Sequence, residues 1–333
     1  MCRTVPGPTT KRAHHDPEVA LPSPLSDAIL VSDEVRAALD DGHPVVALES
    51  TIFTHGLPRP RNLEVALDAE RLLRDQGVVP ATIGVLDGRP VVGLSTEEIT
   101  ALSQSDDVGK FSLRDLPVAA TRRRSGGTTV AATSFLAHRA GIRVFSTGGL
   151  GGVHRGASTT FDGSADLPVL ARTPVLVVAA GVKSILDIPA SLERMETLSV
   201  TVVGYRTTRF PGFYISDSGF EVEYAVEDAA AAAQLLRARD ALGIDRAIII
   251  ANPVPDGHQL DRAEHDAVLT DALAAAGAAR IAGHDSTPFL LDFVQRATQG
   301  RSLDVNVAVY RNNVSLGGEI ARSLAQRSPE AAT

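Results

Sequence analysis

The chain has 333 residues, 44% hydrophobic and 22% charged, a globular composition with room for one large α/β domain or two smaller ones. Its formal charge of -8 argues against a nucleic-acid surface, which needs a net basic face, and is otherwise the ordinary charge of a soluble protein. A single cysteine, Cys2, excludes a disulfide framework and a cysteine zinc site, and no apolar run reaches the roughly 20 residues of a bilayer span.

Residues 1–27 are rich in proline and charge without apolar periodicity, and are expected to form a flexible leader with no signal-peptide core. From residue 28 to 333 a single catalytic domain is expected, working in the cytoplasm without membrane or nucleic-acid partners. Pro44 to Leu48 reads as a buried strand. Asn62 to Gln76 reads as a helix with Asn62 as N-cap and Gly77 as stop. Ala81 to Leu86 and Val91 to Leu94 read as strands around an Asp87-Gly88 turn, and Thr96 to Ser103 as a helix. Thr128 to Ala140 (helix), Arg143 to Thr147 (strand), Val175 to Ala179 (strand), Ser191 to Leu198 (helix) and Val200 to Gly204 (strand) continue the alternation. Asp228 to Leu242 (helix), Arg246 to Ala251 (strand) and helices near 261–276, 287–298 and 313–325 complete it. Helices between short apolar strands predict an α/β fold, three layers deep, with a largely parallel central sheet.

In such sheets chemistry gathers beyond the carboxyl ends of the strands. Glu49, Gly148 to His154 and Gly181 to Ser184 each follow a strand, so these segments are expected to meet. Only three of the 32 basic residues are lysines: Lys11 in the leader, and Lys110 and Lys183 inside ordered sequence. Arginine stays protonated near neutral pH, whereas a desolvated lysine can attack a carbonyl carbon. Lys183 follows the most apolar strand of the chain, where burial would lower the pKa of its amine. Glu49, at a strand end in an apolar setting, should have a raised pKa suited to proton donation.

The glycine-rich segment Gly148 to Gly156 does not fit G-x-G-x-x-G, and Gly181-Val182-Lys183-Ser184 lacks the glycines of a P-loop, so a sugar kinase is disfavoured. Its five glycines, interleaved with His154 and Arg155, suggest backbone approaching a ligand. Gly126-Gly127-Thr128-Thr129-Val130 is expected to open a helix. Free N–H groups there and the hydroxyls of Thr128 and Thr129 would form a phosphate cradle, or else an ordinary threonine cap. Asp162 and Asp166 lie four residues apart without cysteines or a histidine pair, which points to a hard ion such as Mn2+ or Mg2+; Asp166 serves equally well as a helix cap.

Taken together, Leu48-Glu49-Ser50-Thr51, His55-Gly56-Leu57-Pro58, Lys110 with Arg114-Asp115-Leu116-Pro117, Thr147-Gly148-Gly149 through Gly156, Phe161-Asp162 with Ser164-Ala165-Asp166, and Gly181 with Lys183 to Asp187 form an ordered set. Ala251-Asn252-Pro253, Ser286 to Leu291 and Asn312-Asn313 extend it. This set resembles the pseudouridine-5'-phosphate glycosidase family, also called indigoidine synthase A-like, from about residue 29 to 326. The resemblance implies reversible hydrolysis of pseudouridine 5'-phosphate to uracil and ribose 5-phosphate, an α/β/α fold, a homotrimer and a Mn2+ ion. It implies Glu49 as proton donor, Lys183 as the nucleophile that forms a Schiff base, and Asp162 as the metal position. It places Lys110, Val130 and Ser164-Ala165-Asp166 at substrate-binding positions, with Thr147 and Asn306 contacting the base.

Leu113 stands where the family carries a basic residue, and Arg122-Arg123-Arg124 is unusual. These departures bear on the aglycone. The alternative expectation is a C-glycosynthase that joins ribose 5-phosphate to a polyketide. A non-catalytic sugar-phosphate module would not need a lysine at position 183.

Overall fold

The structure is a computed structural model that describes residues 28–281 and 286–326, so the expected leader lies outside the described residues. The chain runs β1 (Leu30–Val31), α1 (Asp33–Asp40), β2 (Val45–Glu49), a π-helical turn (Ile52–Gly56), α2 (Arg61–Asp75), β3 (Val79–Leu86), β4 (Arg89–Val92) and α3 (Thr96–Gln104). It continues through β5 (Gly109–Phe111), a 3-10 turn (Leu113–Asp115), α4 (Leu116–Arg122), β6 (Gly126–Thr128), α5 (Val130–Ala140) and β7 (Val144–Ser146). Next come α6 (Ala157–Thr160), α7 (Asp166–Leu170), β8 (Leu176–Ala179), α8 (Ile188–Thr197), β9 (Thr201–Tyr205) and β10 (Ala225–Val226). The last elements are α9 (Ala229–Ala241), β11 (Ile248–Ala251), α10 (Arg262–Ala278), α11 (Ser286–Ala297) and α12 (Arg301–Ala325).

One sheet joins these strands in the order β1-β4-β3-β2-β7-β8-β11-β9-β10, with β5 and β6 as a side ladder on β3. From β3 through β10 every pairing along this path is parallel. β4 and β6 run antiparallel to β3. Every residue of β2, β8 and β11 is buried, which explains the apolar sequences of β8 and β11 and of β2 up to Glu49. Alternate residues divide between two cores. Ala47, Ile83, Val177 and Ile249 face α1, α5 and α8, whereas Val46, Leu48, Val178 and Ile250 face α2, α9 and α12. The result is the expected α/β/α arrangement.

Among the described residues five helices start where a short polar side chain at the N-cap satisfies a free N–H group, among them α1, capped by Ser32. Ser95 and Glu98 form a capping box on α3, and Asp187, Asp228 and Asp261 cap α8, α9 and α10. The Asp87-Gly88 turn is present, with both residues at positive φ (47° and 81°), as a tight two-residue hairpin requires.

Three local expectations are corrected. Helix α2 begins at Arg61, and the Asn62 amide instead donates to the carbonyls of Phe53 and Ser103 at 2.8 and 2.9 Å, pinning the π-helical turn to α3. Helix α5 begins at Val130 rather than Thr128, because Gly126 to Thr128 pairs its backbone with both β3 and β5. The last helix spans Arg301–Ala325 rather than starting near 313. Its polar Asn312-Asn313 pair, unfavourable for helix on its own, is held by tertiary bonds to the strand ends.

Candidate active site

Three consecutive parallel strands deliver the central groups. Glu49 ends β2, Thr147 follows β7, and Lys183 lies just past β8. The chain after β7 and the chain after β8 are zipped together: Leu150 N–H donates to the Gly181 carbonyl at 2.9 Å and Lys183 N–H to the Leu150 carbonyl at 3.1 Å. Lys183 Nζ then donates to the Gly149 carbonyl at 2.9 Å. Lys110 arrives from another direction, on the side strand β5, whose backbone pairs with Gly126 to Thr128.

Glu49, Lys110 and Lys183 line one cavity of about 300 Å³, together with His55, Gly148, Gly149 and Asn306. Ile52, Phe213, Tyr214, Pro288 and Leu291 supply its apolar wall. Burial pushes the Glu49 carboxyl above the usual carboxylate range, against the pull of Lys183, the Thr147 hydroxyl and Lys110. Burial, reinforced by the charge of Lys183, pushes Lys110 below the usual lysine range, while Glu49 and Asp166 oppose this. Burial and then Lys110 also lower His55. The cavity thus brings together a carboxyl shifted toward its acid form and two amines, groups suited to proton donation and to nucleophilic attack.

The glycine-rich segment serves internal packing. A Cβ on Gly151 would lie 2.2 Å from Ser164 Oγ, and one on Gly149 would lie 2.5 Å from the Phe213 ring. Protein atoms fill the space beside Gly149 and Gly151, while Gly148 and Gly149 also line the cavity with their backbone. Asp166 is buried, and its carboxylate accepts from Ala131 N–H at 3.0 Å and Gly151 N–H at 2.9 Å, so it caps α5 and ties it to the glycine segment. Ser164 Oγ accepts from Asp166 N–H at 3.1 Å, and Ala165 precedes α7.

The expected two-hydroxyl cradle is not formed. Thr128 is fully buried and its hydroxyl bonds to Ile83, Thr133 and Ser50. Thr129 is the α5 N-cap without a side-chain cap bond, and its buried hydroxyl has no partner among the described residues. Val130 opens α5 with its side chain in the core, leaving only its backbone for a ligand. His154 and Asp162 pair with each other, Nδ1 to Oδ2 at 3.7 Å, and lie outside the cavity lining. Thr147 also lies outside the lining, because it is fully buried with its hydroxyl on Glu49.

Phe213 and Tyr214 come from the long irregular stretch after β9, where no periodicity marks them in the sequence. Among the described residues no helix is long and apolar enough to cross a membrane, and no group of three metal-ligating side chains occurs.

A family model described as "Indigoidine synthase A like protein" matches residues 34–323. The chain belongs to this family. A relative from Saccharopolyspora erythraea named pseudouridine-5'-phosphate glycosidase is 62% identical over 302 residues, 91% of this chain and 99% of the relative. Among solved structures, the prealnumycin C-glycosynthase AlnA in complex with ribulose 5-phosphate is 34% identical with a TM-score of 0.84, covering 90% of this chain and 98% of AlnA. An indigoidine synthase A-like protein from Thermotoga maritima is 33% identical with a TM-score of 0.81, covering 96% of this chain and all of that one.

Proposed function

We propose that this indigoidine synthase A-like chain is a pseudouridine-5'-phosphate glycosidase, cleaving the C-glycosidic bond reversibly to uracil and ribose 5-phosphate. The observation that carries the reading is the convergence of Glu49, Lys110 and Lys183 on one cavity. The 62% identity to a relative of that name supports uracil as the aglycone.

A C–C glycosidic bond has no heteroatom leaving group, so protonating an oxygen on the base cannot release it. In the proposed path the Lys183 amine attacks C1′ and gives up a proton, the C1′–O4′ bond breaks, and O4′ takes up a proton as the ring opens. The nitrogen lone pair then forms C=N while the electrons of the C1′–C5 bond pass to uracil C5, which takes the Glu49 proton. Water adds to the resulting iminium, releasing ribose 5-phosphate and regenerating Lys183. Lys110 holds the anionic substrate, and Asn306, on the cavity wall, contacts the base.

Asp162 suits a largely hydrated hard ion, since among the described residues its carboxylate pairs with His154 alone, at 3.7 Å, and such ions need one or two carboxylates and keep several waters. Mn2+ or Mg2+ held there would supply positive charge to complement an anionic substrate. A homotrimer is the proposed assembly, checked by light scattering coupled to gel filtration.

The second reading, C-glycosynthase with an aromatic polyketide acceptor, draws on the likeness to AlnA and on the apolar wall of Ile52, Phe213, Tyr214 and Leu291. Assaying uracil beside aromatic acceptors with ribose 5-phosphate separates the two. Turnover with uracil is the expected result. Turnover with polyketide acceptors alone would overturn the first reading.

A further inference from the structure

The proton donor of this site stands at the end of a chain of buried hydrogen bonds that crosses three strand ends. Asn252, just past β11, donates Nδ2 to Asn313 Oδ1 at 2.9 Å. Asn313, on α12, donates its own Nδ2 to the carbonyls of Thr147 and Gly148 at 2.7 and 3.1 Å. The Thr147 hydroxyl donates to Glu49 Oε1. All four residues are buried: Asn252 is 4% exposed, Asn313 and Thr147 0%, and Glu49 8%.

The directions follow from the donor inventory. Asn313 gives N–H groups to two carbonyls, so its oxygen is left to accept, and Asn252 supplies that proton. The Thr147 N–H donates to the Val178 carbonyl at 3.0 Å, and Ser146 Oγ donates to the Asn313 carbonyl at 3.1 Å. The backbone at Thr147 is thereby gripped from β8 and from α12. Its hydroxyl carries one proton, and that proton is directed at Oε1, which leaves Oε2 to carry an acid proton.

We propose that Thr147 is a positioning residue for Glu49: its hydroxyl donates to Oε1 and assigns the acid proton to Oε2, and Asn313 holds Thr147 in place. This replaces the expectation that the Thr147 hydroxyl contacts the base. The consequence for turnover rests on the glycosidase reading; the hydrogen bond itself does not.

Lys183, Asp166 and Lys110 also act on the Glu49 carboxyl, and Glu49 in turn raises Tyr310 on α12, whose own shift comes mainly from burial. The Thr147 bond favours the ionised form and so opposes burial.

The test compares wild type, Thr147→Val (same shape, no hydroxyl) and Thr147→Ser by infrared titration of the Glu49 carboxyl, assigned by subtracting Glu49→Gln. The expected result is an upward shift of about one pH unit in Thr147→Val and return toward wild type in Thr147→Ser. The alkaline limb of pseudouridine 5'-phosphate cleavage should move with it, while the KM for uracil in the synthetic direction stays put. Thr147→Ala gives the same reading if the valine variant fails to fold by circular dichroism. No shift, or a downward shift, overturns the proposal, because the carboxyl would then be donating to Thr147. A raised KM for uracil with an unmoved pH profile also overturns it, restoring the base contact. Absence of pseudouridine 5'-phosphate cleavage in wild type would sink the glycosidase reading alone, and the titration would still decide the role of Thr147.

Discussion

Two regions of the molecule bring a lysine to the same cavity by different means. At the carboxyl edge of β2, β7 and β8, parallel strands with fully buried residues end together, and Glu49 and Lys183 emerge where backbone bonds lock each connecting loop to its neighbour. At the side ladder, a three-residue strand carries Lys110 against Gly126 to Thr128, antiparallel to the main sheet's β3. In the proposed function the first region carries the reacting groups and the second the lysine that holds the substrate. The proposed roles follow this division, because a nucleophile needs fixed geometry and a free lone pair, whereas a phosphate or sugar needs only a cation nearby.

The largest effect should separate the two lysines. Lys183→Ala and Lys183→Arg are both expected to cut turnover by roughly 10⁴-fold or more, measured by steady-state kinetics on protein with an unchanged circular dichroism spectrum. Lys110→Ala should instead raise KM by about 10- to 100-fold with a smaller change in kcat, and Lys110→Arg should recover most of that loss. Equal collapse in Lys183→Arg and Lys110→Arg would erase the distinction drawn here.

Glu49 gives the next effect. Glu49→Gln should lower turnover by about 10²- to 10⁴-fold and leave ribose 5-phosphate binding in place. The same change bears on stability. The folded-state pKa of Glu49 is raised, mainly by burial, so the folded protein holds its proton to higher pH than the unfolded chain does. Its contribution to stability is full below the ordinary carboxylate pKa and is lost as pH rises through the folded value. Glu49→Gln should therefore melt about 2–4 °C above wild type at neutral pH, with the gap closing toward pH 4; equal melting temperatures at neutral pH would contradict the buried-acid account.

Much of the first region was legible in the sequence because parallel strands announce themselves. Val45 to Leu48, Val175 to Ala179 and Arg246 to Ala251 are apolar runs too short for helices, and the polar residues immediately after them had to lie at one edge. The pairing of Glu49 with Lys183 followed from that alone. The side ladder was not legible, because Gly109-Lys110-Phe111 and Gly126-Gly127-Thr128 carry neither length nor alternation; the first is a strand because the second is there, and the second because both β3 and the first pair with it. The hydrogen bond from Thr147 to Glu49 was not legible for a related reason. The resemblance implied a base contact there, but the direction of a hydroxyl depends on Asn313, which comes 166 positions later in the chain. The Phe213-Tyr214 wall likewise depends on an irregular loop packing against Gly149, a contact that no local pattern encodes.

The smallest expected effect probes how the side ladder is built. A Cβ on Gly126 would fall 2.2 Å from the Gly109 carbonyl oxygen and 2.6 Å from the Phe111 ring. Gly126→Ala should cost about 1–3 kcal/mol in urea unfolding and raise KM as Lys110→Ala does, with kcat less affected. A kcat collapse in this variant would tie the side ladder to the chemistry itself.

Borohydride reduction in the presence of ribose 5-phosphate, followed by peptide mass spectrometry, tests the proposed amine chemistry most directly. A reduced pentose phosphate adduct on the peptide carrying Lys183, absent from Lys183→Ala, is the result this account predicts. A Lys183 peptide left unmodified at saturating sugar, or an adduct confined to Lys110, would contradict it.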